Sequence, residues 1–157
     1  MRIEYFQLID RIVDLDLDGR TIRVDAQVPQ ESTIFEGHFP GHPLMPGVLL
    51  IEAMAQTSGW LVIAATKFER MPFLAAVKAA KLRSFVVPGQ LLSITAKLLH
   101  DGSGFAVTKA AVTVAGKATC DAELTLRVMP FPDPRLRANM EEVAVRIGFP
   151  MKVLAHG

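Results

Sequence analysis

Apolar and polar residues alternate along the N-terminal part of the chain. Between Thr21 and Val28, every second side chain is apolar, which is the pattern of a half-buried antiparallel strand. Residues 8–17 alternate more loosely, and the Asp18-Gly19 pair between the two segments is typical of a hairpin turn. The chain is therefore predicted to begin with two paired strands.

The pattern changes after Pro46, where the chain becomes apolar on all sides apart from Glu52 and a few small polar residues. A helix is predicted from Pro46 to Phe68, because proline suits the first turn of a helix and Met71-Pro72 would end it. A membrane span needs roughly 20 apolar residues, but an ionisable group in its middle is costly in lipid. We therefore predict the buried core helix of a soluble protein, with no membrane span.

Short apolar segments separated by turns follow the helix. Strands are predicted at residues 73–77, 91–99, 105–114 and 117–128. The turns between them lie at residues 86–89, 101–104 and 116. Antiparallel strands combined with one long buried helix predict an α+β fold.

Three prolines after Met129 are predicted to end the sheet. We accordingly divide the chain into a single domain, residues 1–130, and a C-terminal extension, residues 131–157. Within the extension, residues 136–147 predict a short surface helix with Ala138, Val143 and Ile147 on its apolar side.

Composition narrows the classes of function. Half of the 157 residues are apolar and the formal net charge is +1, so the chain lacks the basic excess that is typical of nucleic-acid binding. The sequence has one cysteine, Cys120, which we interpret as a core residue rather than a nucleophile. Acids interrupt the N-terminal segment where a signal peptide would be apolar, and a cytoplasmic location is predicted.

The segment from Gly37 to Gln56 carries the candidate chemistry. His38 lies in a loop rich in proline and glycine, and Glu52 lies inside the helix among apolar residues. Burial disfavours a charged carboxyl, so Glu52 is predicted to hold a proton and act as a general acid. Gln56, one helical turn further, is placed to orient it. The N–H groups near Gly47 would stabilise an oxyanion. Together these groups favour proton abstraction beside a thioester carbonyl, with loss of a leaving group.

Each of these residues also has a purely structural interpretation. A histidine in a loop is often solvated, and a buried glutamate is often paired in a dimer core. His38, His42 and Glu52 could be read as metal ligands, but the two-histidine metal motif needs a helix between its histidines. The prolines of this loop exclude such a helix, so we predict no metal, and the chemistry calls for no cofactor.

The same segment carries a family resemblance. Its parts, His38–Gly41, Pro43–Leu49 and Glu52–Gln56, together resemble the FabZ type of 3-hydroxyacyl-acyl carrier protein dehydratase. The similarity continues through Val86–Gly89 and covers roughly residues 8–128. It implies a hotdog fold, in which a sheet wraps around a central helix, and a dimer as the smallest active unit.

The resemblance also implies roles and partners. His38 would remove the proton at C2 of the substrate and Glu52 would protonate the leaving hydroxyl, the two meeting from opposite subunits. Family members often form trimers of dimers. The implied partner is acyl carrier protein, and by analogy Lys78, Lys81 and Arg83 would dock it. Glutamate at position 52 resembles the plain dehydratase branch and not the branch that also isomerises the double bond.

Some features depart from the family pattern. Residues 5–11 lack a His-Arg-x-Pro-Phe-like element, Ser84-Phe85 replaces a basic residue and a proline, and residues 131–157 lie outside the usual core. These departures resemble a side branch that handles very long acyl chains for lipid A. The helix also carries small residues that predict either an acyl tunnel or close packing against the sheet: Ala53, Ala55, Gly59, Ala64 and Ala65.

Other functions stay open at this point. A hotdog thioesterase would hydrolyse the thioester, although such enzymes do not need the histidine loop. A non-catalytic subunit that binds acyl carrier protein would have no need to keep His38, Glu52 and Gln56. A hydratase that acts on coenzyme A thioesters would share the same chemistry.

Overall fold

The computed structural model describes residues 1–155, so the last two residues of the predicted C-terminal extension lie outside the described part of the chain. The described strands are β1 (Arg11–Asp16), β2 (Thr21–Gln27), β3 (Arg70–Leu82), β4 (Leu91–Gly102), β5 (Phe105–Val114) and β6 (Lys117–Pro130). The helices are α1 (Thr33–Gly37), α2 (Gly47–Ala65) and α3 (Pro134–Arg146), and 3-10 turns lie at Ile3–Tyr5 and Met151–Leu154.

The strands of the described chain form one antiparallel sheet in the order β1-β2-β4-β5-β6-β3. The β4–β5 and β5–β6 hairpins turn at Ser103-Gly104 and Ala115-Gly116, and all four residues have positive φ. Turns of this kind match the twist of the strands that they join. The predicted α+β class is confirmed, as are both of these hairpins.

Helix α2 is the centre of the core. It packs against β2, β3, β4, β5 and β6, and its buried hydroxyls are satisfied, Ser58 by Thr108 at 2.7 Å and Thr57 by the carbonyl oxygen of Ala53 at 2.8 Å. Among the described residues, α2 is the one helix that is long and apolar enough to cross a membrane. Because 67% of this apolar stretch is buried inside the fold, α2 is a core helix.

Several predicted bounds were wrong, and β4 and β6 run three and two residues further than predicted. Helix α2 ends at Ala65, because Lys67 and Phe68 turn out of it with positive φ. Strand β3 spans 13 residues instead of a short segment at 73–77, and Pro72 fits inside it because β3 is an edge strand paired with β6. The predicted loop before α2 contains α1, whose N-cap is Ser32.

The C-terminal segment belongs to the same core as the sheet. Helix α3 begins after the N-cap Asp133, and Ile147 and Phe149 beyond its end are 1% and 4% exposed. The prediction that Ala138 lies on the apolar side was wrong, since Ala138 is exposed. The side that faces the protein is formed by Leu136, Met140, Val143 and Ala144.

Candidate active site

His38 is held by the backbone of its own loop. Helix α1 ends at this residue, and the His38 N–H donates to the Ile34 carbonyl at 3.0 Å. Leu44 contacts His38 twice, since its N–H donates to the His38 carbonyl and its carbonyl lies 2.8 Å from Nδ1 of the ring. Because a carbonyl oxygen can only accept, Nδ1 carries a proton, and in the neutral ring Nε2 is then the nitrogen that is free to accept one. This is the tautomer that a general base needs.

The loop around His38 is anchored on both sides. The ring of Phe39 stacks on the ring of His38 with centroids 4.1 Å apart, and Phe39 and His42 exchange backbone hydrogen bonds of 3.1 and 2.9 Å. The Met45 N–H donates to the Val86 carbonyl at 2.8 Å, which ties the loop to the segment between β3 and β4.

Within residues 1–155, no three His, Cys, Asp or Glu side chains are grouped so as to hold a metal ion.

Glu52 lies on α2 and lines a cavity of about 500 Å³. Gln56 lies one turn further and donates from Nε2 to Glu52 Oε1 at 3.2 Å, which is the contact that the spacing indicated. The Nε2 atom of Gln56 also donates to the Phe6 carbonyl at 2.8 Å. The Oε1 atom of Gln56 accepts from the Leu8 N–H at 3.4 Å. Glu52 was expected to be buried, but it is half-buried in the single chain because it faces this cavity.

The cavity is mostly apolar and has the size of a small-ligand site. Its walls come from the N-terminal segment, α2, the start of β3 and α3, and His38 is not among its lining residues. One described chain therefore joins Glu52 to Gln56 but does not bring His38 into the same cavity. Of the small helix residues, Ala55 and Gly59 line this cavity, whereas Ala53 and Ala64 are fully buried in the core and Ala65 borders a second cavity of about 320 Å³.

Gly47 is the first residue of α2. The first N–H groups of a helix have no acceptor within it, so those of Gly47 and Val48 point out of the N-terminus of α2. A Cβ atom on Gly47 would collide with the side chain of Leu82 on β3. The atom in the way is the end of an exposed side chain that can turn aside, so the packing of the backbone does not by itself require glycine here.

The basic residues of the candidate docking site lie on or just after β3, and all three are exposed. Both Nε and Nη2 of Arg83 lie 2.8 Å from Asp121 Oδ2. In the sheet register Lys81 is opposite Asp121, and Lys78 is opposite Glu123. Their positive charge is therefore partly balanced by β6, which the sequence alone did not reveal.

Cys120 lies on β6 and is 1% exposed. Burial, together with the neighbouring negative charge of Asp121, raises the pKa of its thiol to about 11. A thiol that stays protonated at neutral pH is a poor nucleophile. The interpretation of Cys120 as a core residue is confirmed.

Some contributors to the site were not found from the sequence. Phe6 and Leu8 hold Gln56 through backbone groups, which leave no side-chain signal. Ser32 caps α1 by accepting the Ile34 N–H at 3.1 Å. Serine is a favoured N-cap residue, so the start of this helix could have been predicted from the sequence. The contribution of α3 to the cavity could not be read from its amphipathic pattern, which does not say what the helix packs against.

Comparison with known proteins places this geometry in a family. A family model described as a FabA-like domain matches residues 2–123. A curated 3-hydroxyacyl-[acyl-carrier-protein] dehydratase FabZ from Levilactobacillus brevis is 36% identical over 126 residues, which cover 80% of this chain and 84% of that protein.

Two solved structures resemble the fold, at low sequence identity. The dehydratase heterocomplex ApeI:P from Xenorhabdus doucetiae superposes with a TM-score of 0.63 at 15% identity, covering 85% of this chain and 90% of that one. A hypothetical thioesterase with coenzyme A from Streptococcus pneumoniae gives 0.61 at 17% identity, covering 78% and 88%. They show that the sheet around α2 is a hotdog fold. The chain belongs to the FabA-like family and, within it, to the FabZ-type 3-hydroxyacyl-acyl carrier protein dehydratases.

Proposed function

We propose that the protein is a cytoplasmic enzyme of fatty acid biosynthesis that removes water from 3-hydroxyacyl-acyl carrier protein to give the trans-2-enoyl product. Family membership supports this reaction. The observation that carries the proposal is that one chain holds a histidine with Nδ1 bound to a carbonyl oxygen, which leaves Nε2 for accepting a proton in the neutral ring, and a glutamate that faces an apolar cavity. A base and an acid of this kind are what an elimination next to a thioester requires.

The reaction would use four groups of the protein. His38 Nε2 takes the proton from C2, and the electron pair moves onto the thioester oxygen, which the N–H of Gly47 stabilises at the start of α2. When the pair returns, the C2–C3 double bond forms and the C3–O bond breaks. Glu52, oriented by Gln56, gives its proton to the departing hydroxyl, which leaves as water. These bond changes need no cofactor, and the same groups would catalyse the reverse reaction, hydration of the enoyl thioester.

The active unit would be a homodimer with shared sites. Strand β3 pairs with β6, and within residues 1–155 its other edge has no partner strand. An exposed apolar edge strand invites pairing with another chain. The apolar side chains exposed along it are Phe73, Leu74, Val77 and Leu82, which are 38–53% exposed. Pairing of two β3 strands would cover them and would let His38 of one copy approach Glu52 of the other.

A test of the assembly is a charge on that edge. Val77→Glu should convert dimers to monomers and abolish activity, whereas Thr95→Glu on the exposed face of β4 should leave the dimer intact. Light scattering that counts the protomers also decides whether three dimers join. A wild-type monomer with full activity would contradict the shared site.

Acyl carrier protein would dock at Lys78, Lys81 and Arg83. These residues are exposed on or just after β3, so in the proposed dimer they would flank the seam between the two β3 strands, and an acidic carrier needs local positive charge. Since Arg83 is already paired with Asp121, Lys81→Glu is the cleaner test. It should weaken the reaction of the carrier-linked substrate far more than that of a coenzyme A analogue. The matched control is Lys97→Glu on β4, and equal effects of both variants on both substrates would remove Lys81 from the docking site.

The activity is tested by incubating the purified protein with 3-hydroxyacyl-acyl carrier protein and quantifying the enoyl product by mass. We expect water loss with the wild type, and a rate lower by roughly 10²- to 10⁴-fold with His38→Ala and with Glu52→Gln. Release of a free thiol without water loss would show a thioesterase instead. A series of substrates that reaches the very long chains of lipid A tests whether the protein belongs to that side branch.

A further inference from the structure

Helix α3 borders the cavity that contains Glu52. Met140, Val143 and Ile147 line it together with residues of α2 and of the N-terminal segment. This helix lies beyond residues 2–123, the part of the chain that matches the family model. A wall of the candidate substrate cavity is therefore built by a segment that the shared family region does not supply.

The wall is fixed rather than loosely attached. The ring of Phe149, just after α3, packs against Trp60 at 5.8 Å and against Phe68 at 5.5 Å between centroids. The carbonyl oxygen of Ile147 accepts a hydrogen bond of 2.8 Å from the N–H of Ile12 on β1. A helix pinned by buried aromatic contacts and by a strand offers a defined boundary to whatever enters the cavity.

The position of this boundary relative to Glu52 follows from α2. Trp60 lies eight residues after Glu52, which corresponds to about 12 Å along the helix axis. Phe149 holds the C-terminal end of α3 against Trp60, so this end of α3 lies further along α2 than Glu52. Arg146 also lines the cavity and is exposed, so an apolar chain that reaches it meets a charge and water instead of further apolar surface.

We propose that α3 sets the length of the acyl chain that the enzyme accepts. This inference builds on the proposed dehydratase function, since it takes the acyl tail of the thioester as the occupant of the cavity. With C3 held at Glu52, the tail runs along α2 past Gly59 and Trp60 and ends against Met140 and Val143. These two side chains are the specificity-determining residues.

The test is to fill the cavity from α3 and to leave the rest of the molecule unchanged. Val143→Phe places a larger side chain in the cavity, and Val145→Phe is the matched control, because Val145 lies on the same helix and is 72% exposed. For both variants and the wild type, kcat/KM is measured over substrates of increasing chain length. Val143→Phe should lower kcat/KM for the longest accepted substrate by about tenfold or more, with little change for the shortest. Val145→Phe should behave as the wild type.

A second variant keeps the test decisive if Val143→Phe folds poorly. Met140→Ala enlarges the same region and should raise kcat/KM for substrates longer than the wild-type limit. Wild-type dehydration with no change of the length profile in either variant would overturn the role of α3 alone. Absence of dehydration by the folded wild type at every length would overturn the proposed function, and this inference with it.

Discussion

The two candidate catalytic groups are held in place by different means. His38 is fixed by main-chain groups of its own loop, through the contacts with Ile34 and Leu44. Glu52 is fixed by a side chain, Gln56, which is itself anchored to the main chain of the N-terminal segment. The orientation of the base is therefore local, whereas the orientation of the acid depends on contacts between residues that are far apart in the sequence.

The N-terminal segment nevertheless contacts the supports of both groups, Gln56 beside Glu52 and the start of α1 before His38. Phe6 accepts a hydrogen bond from Gln56, and the side chain of Glu4 is hydrogen-bonded to Ser32, the cap of the helix that ends at His38. Within one chain this segment links the two regions, while His38 lies outside the cavity of Glu52. Each chain therefore positions the candidate base and the candidate acid in separate regions, and we expect that a complete site needs two chains.

The largest expected effect comes from mixing two inactive variants. His38→Ala and Glu52→Gln, co-expressed with different tags and purified as a mixed dimer, should form one intact site and one doubly damaged site. The mixed dimer should recover about half of the wild-type activity per dimer, since the two subunits are related by twofold symmetry. Steady-state rates of the mixed dimer and of the two parent homodimers measure the recovery.

A reversed pairing serves as the control. A mixed dimer of the wild type with the double variant His38→Ala/Glu52→Gln has one damaged group in each shared site and should be as inactive as the parents. If each chain instead contained its own complete site, this second dimer would show half activity and the first would show none. With shared sites only the first mixed dimer is active, and with a complete site in each chain only the second is.

A smaller effect is expected when the support of the acid is removed. Gln56→Met keeps the size of the side chain but loses the donor to Glu52, whose hydrogen bond would strengthen to about 1.5–3 kcal/mol as the carboxyl gives up its proton and becomes charged. We expect kcat to fall by roughly ten- to a hundredfold, with KM little changed, because methionine keeps the bulk that Gln56 presents to the cavity and loses only the polar group that orients the acid. Initial rates measured over a range of substrate concentrations separate the change in kcat from any change in KM.

Thr57→Val is the matched control for Gln56→Met. Thr57 is the next residue of α2, is fully buried and bonds to the carbonyl of Ala53, away from Glu52. Its loss should lower the free energy of unfolding without lowering kcat of the folded enzyme. An equal loss of kcat in both variants would mean that any disturbance of α2 has the same consequence, and Gln56 would have no specific role.

The periodic elements of the fold were predictable because their patterns follow from burial. Strand β5 was predicted with its observed ends, since type I′ turns need residues that accept positive φ and the sequence marks them with glycine. Strand β3 was underestimated because the strand lies at the edge of the sheet and its side chains are exposed in the single chain. A pattern of alternating burial exists only where one face is covered, and the partner that would cover β3 is another molecule.

The candidate site was only partly predictable for a related reason. The spacing of Glu52 and Gln56 fixes their contact on a helix, so that contact could be inferred. The hydrogen bonds of His38 to Leu44 and of Gln56 to Phe6 use main-chain groups that every residue carries. The pairing of Arg83 with Asp121 depends on the register of β3 against β6, which local sequence does not determine. The catalytic roles themselves stay predictions.

The smallest expected effect concerns the cap of the loop that holds the base. Ser32→Ala removes the acceptor of the Ile34 N–H and should lower the free energy of unfolding by about 1 kcal/mol, with a loss of kcat of a few fold as the His38 loop loosens. It also removes the hydrogen bond that keeps the pKa of Glu4 below its ordinary value, so the Glu4 carboxyl should titrate at higher pH in an NMR experiment. Asp133→Ala removes the equivalent cap of α3 and should cost similar stability without lowering kcat for short substrates, because α3 holds neither His38 nor Gln56. If the two cap variants lowered kcat equally, the local support of His38 would be no more important to catalysis than the general stability of the fold.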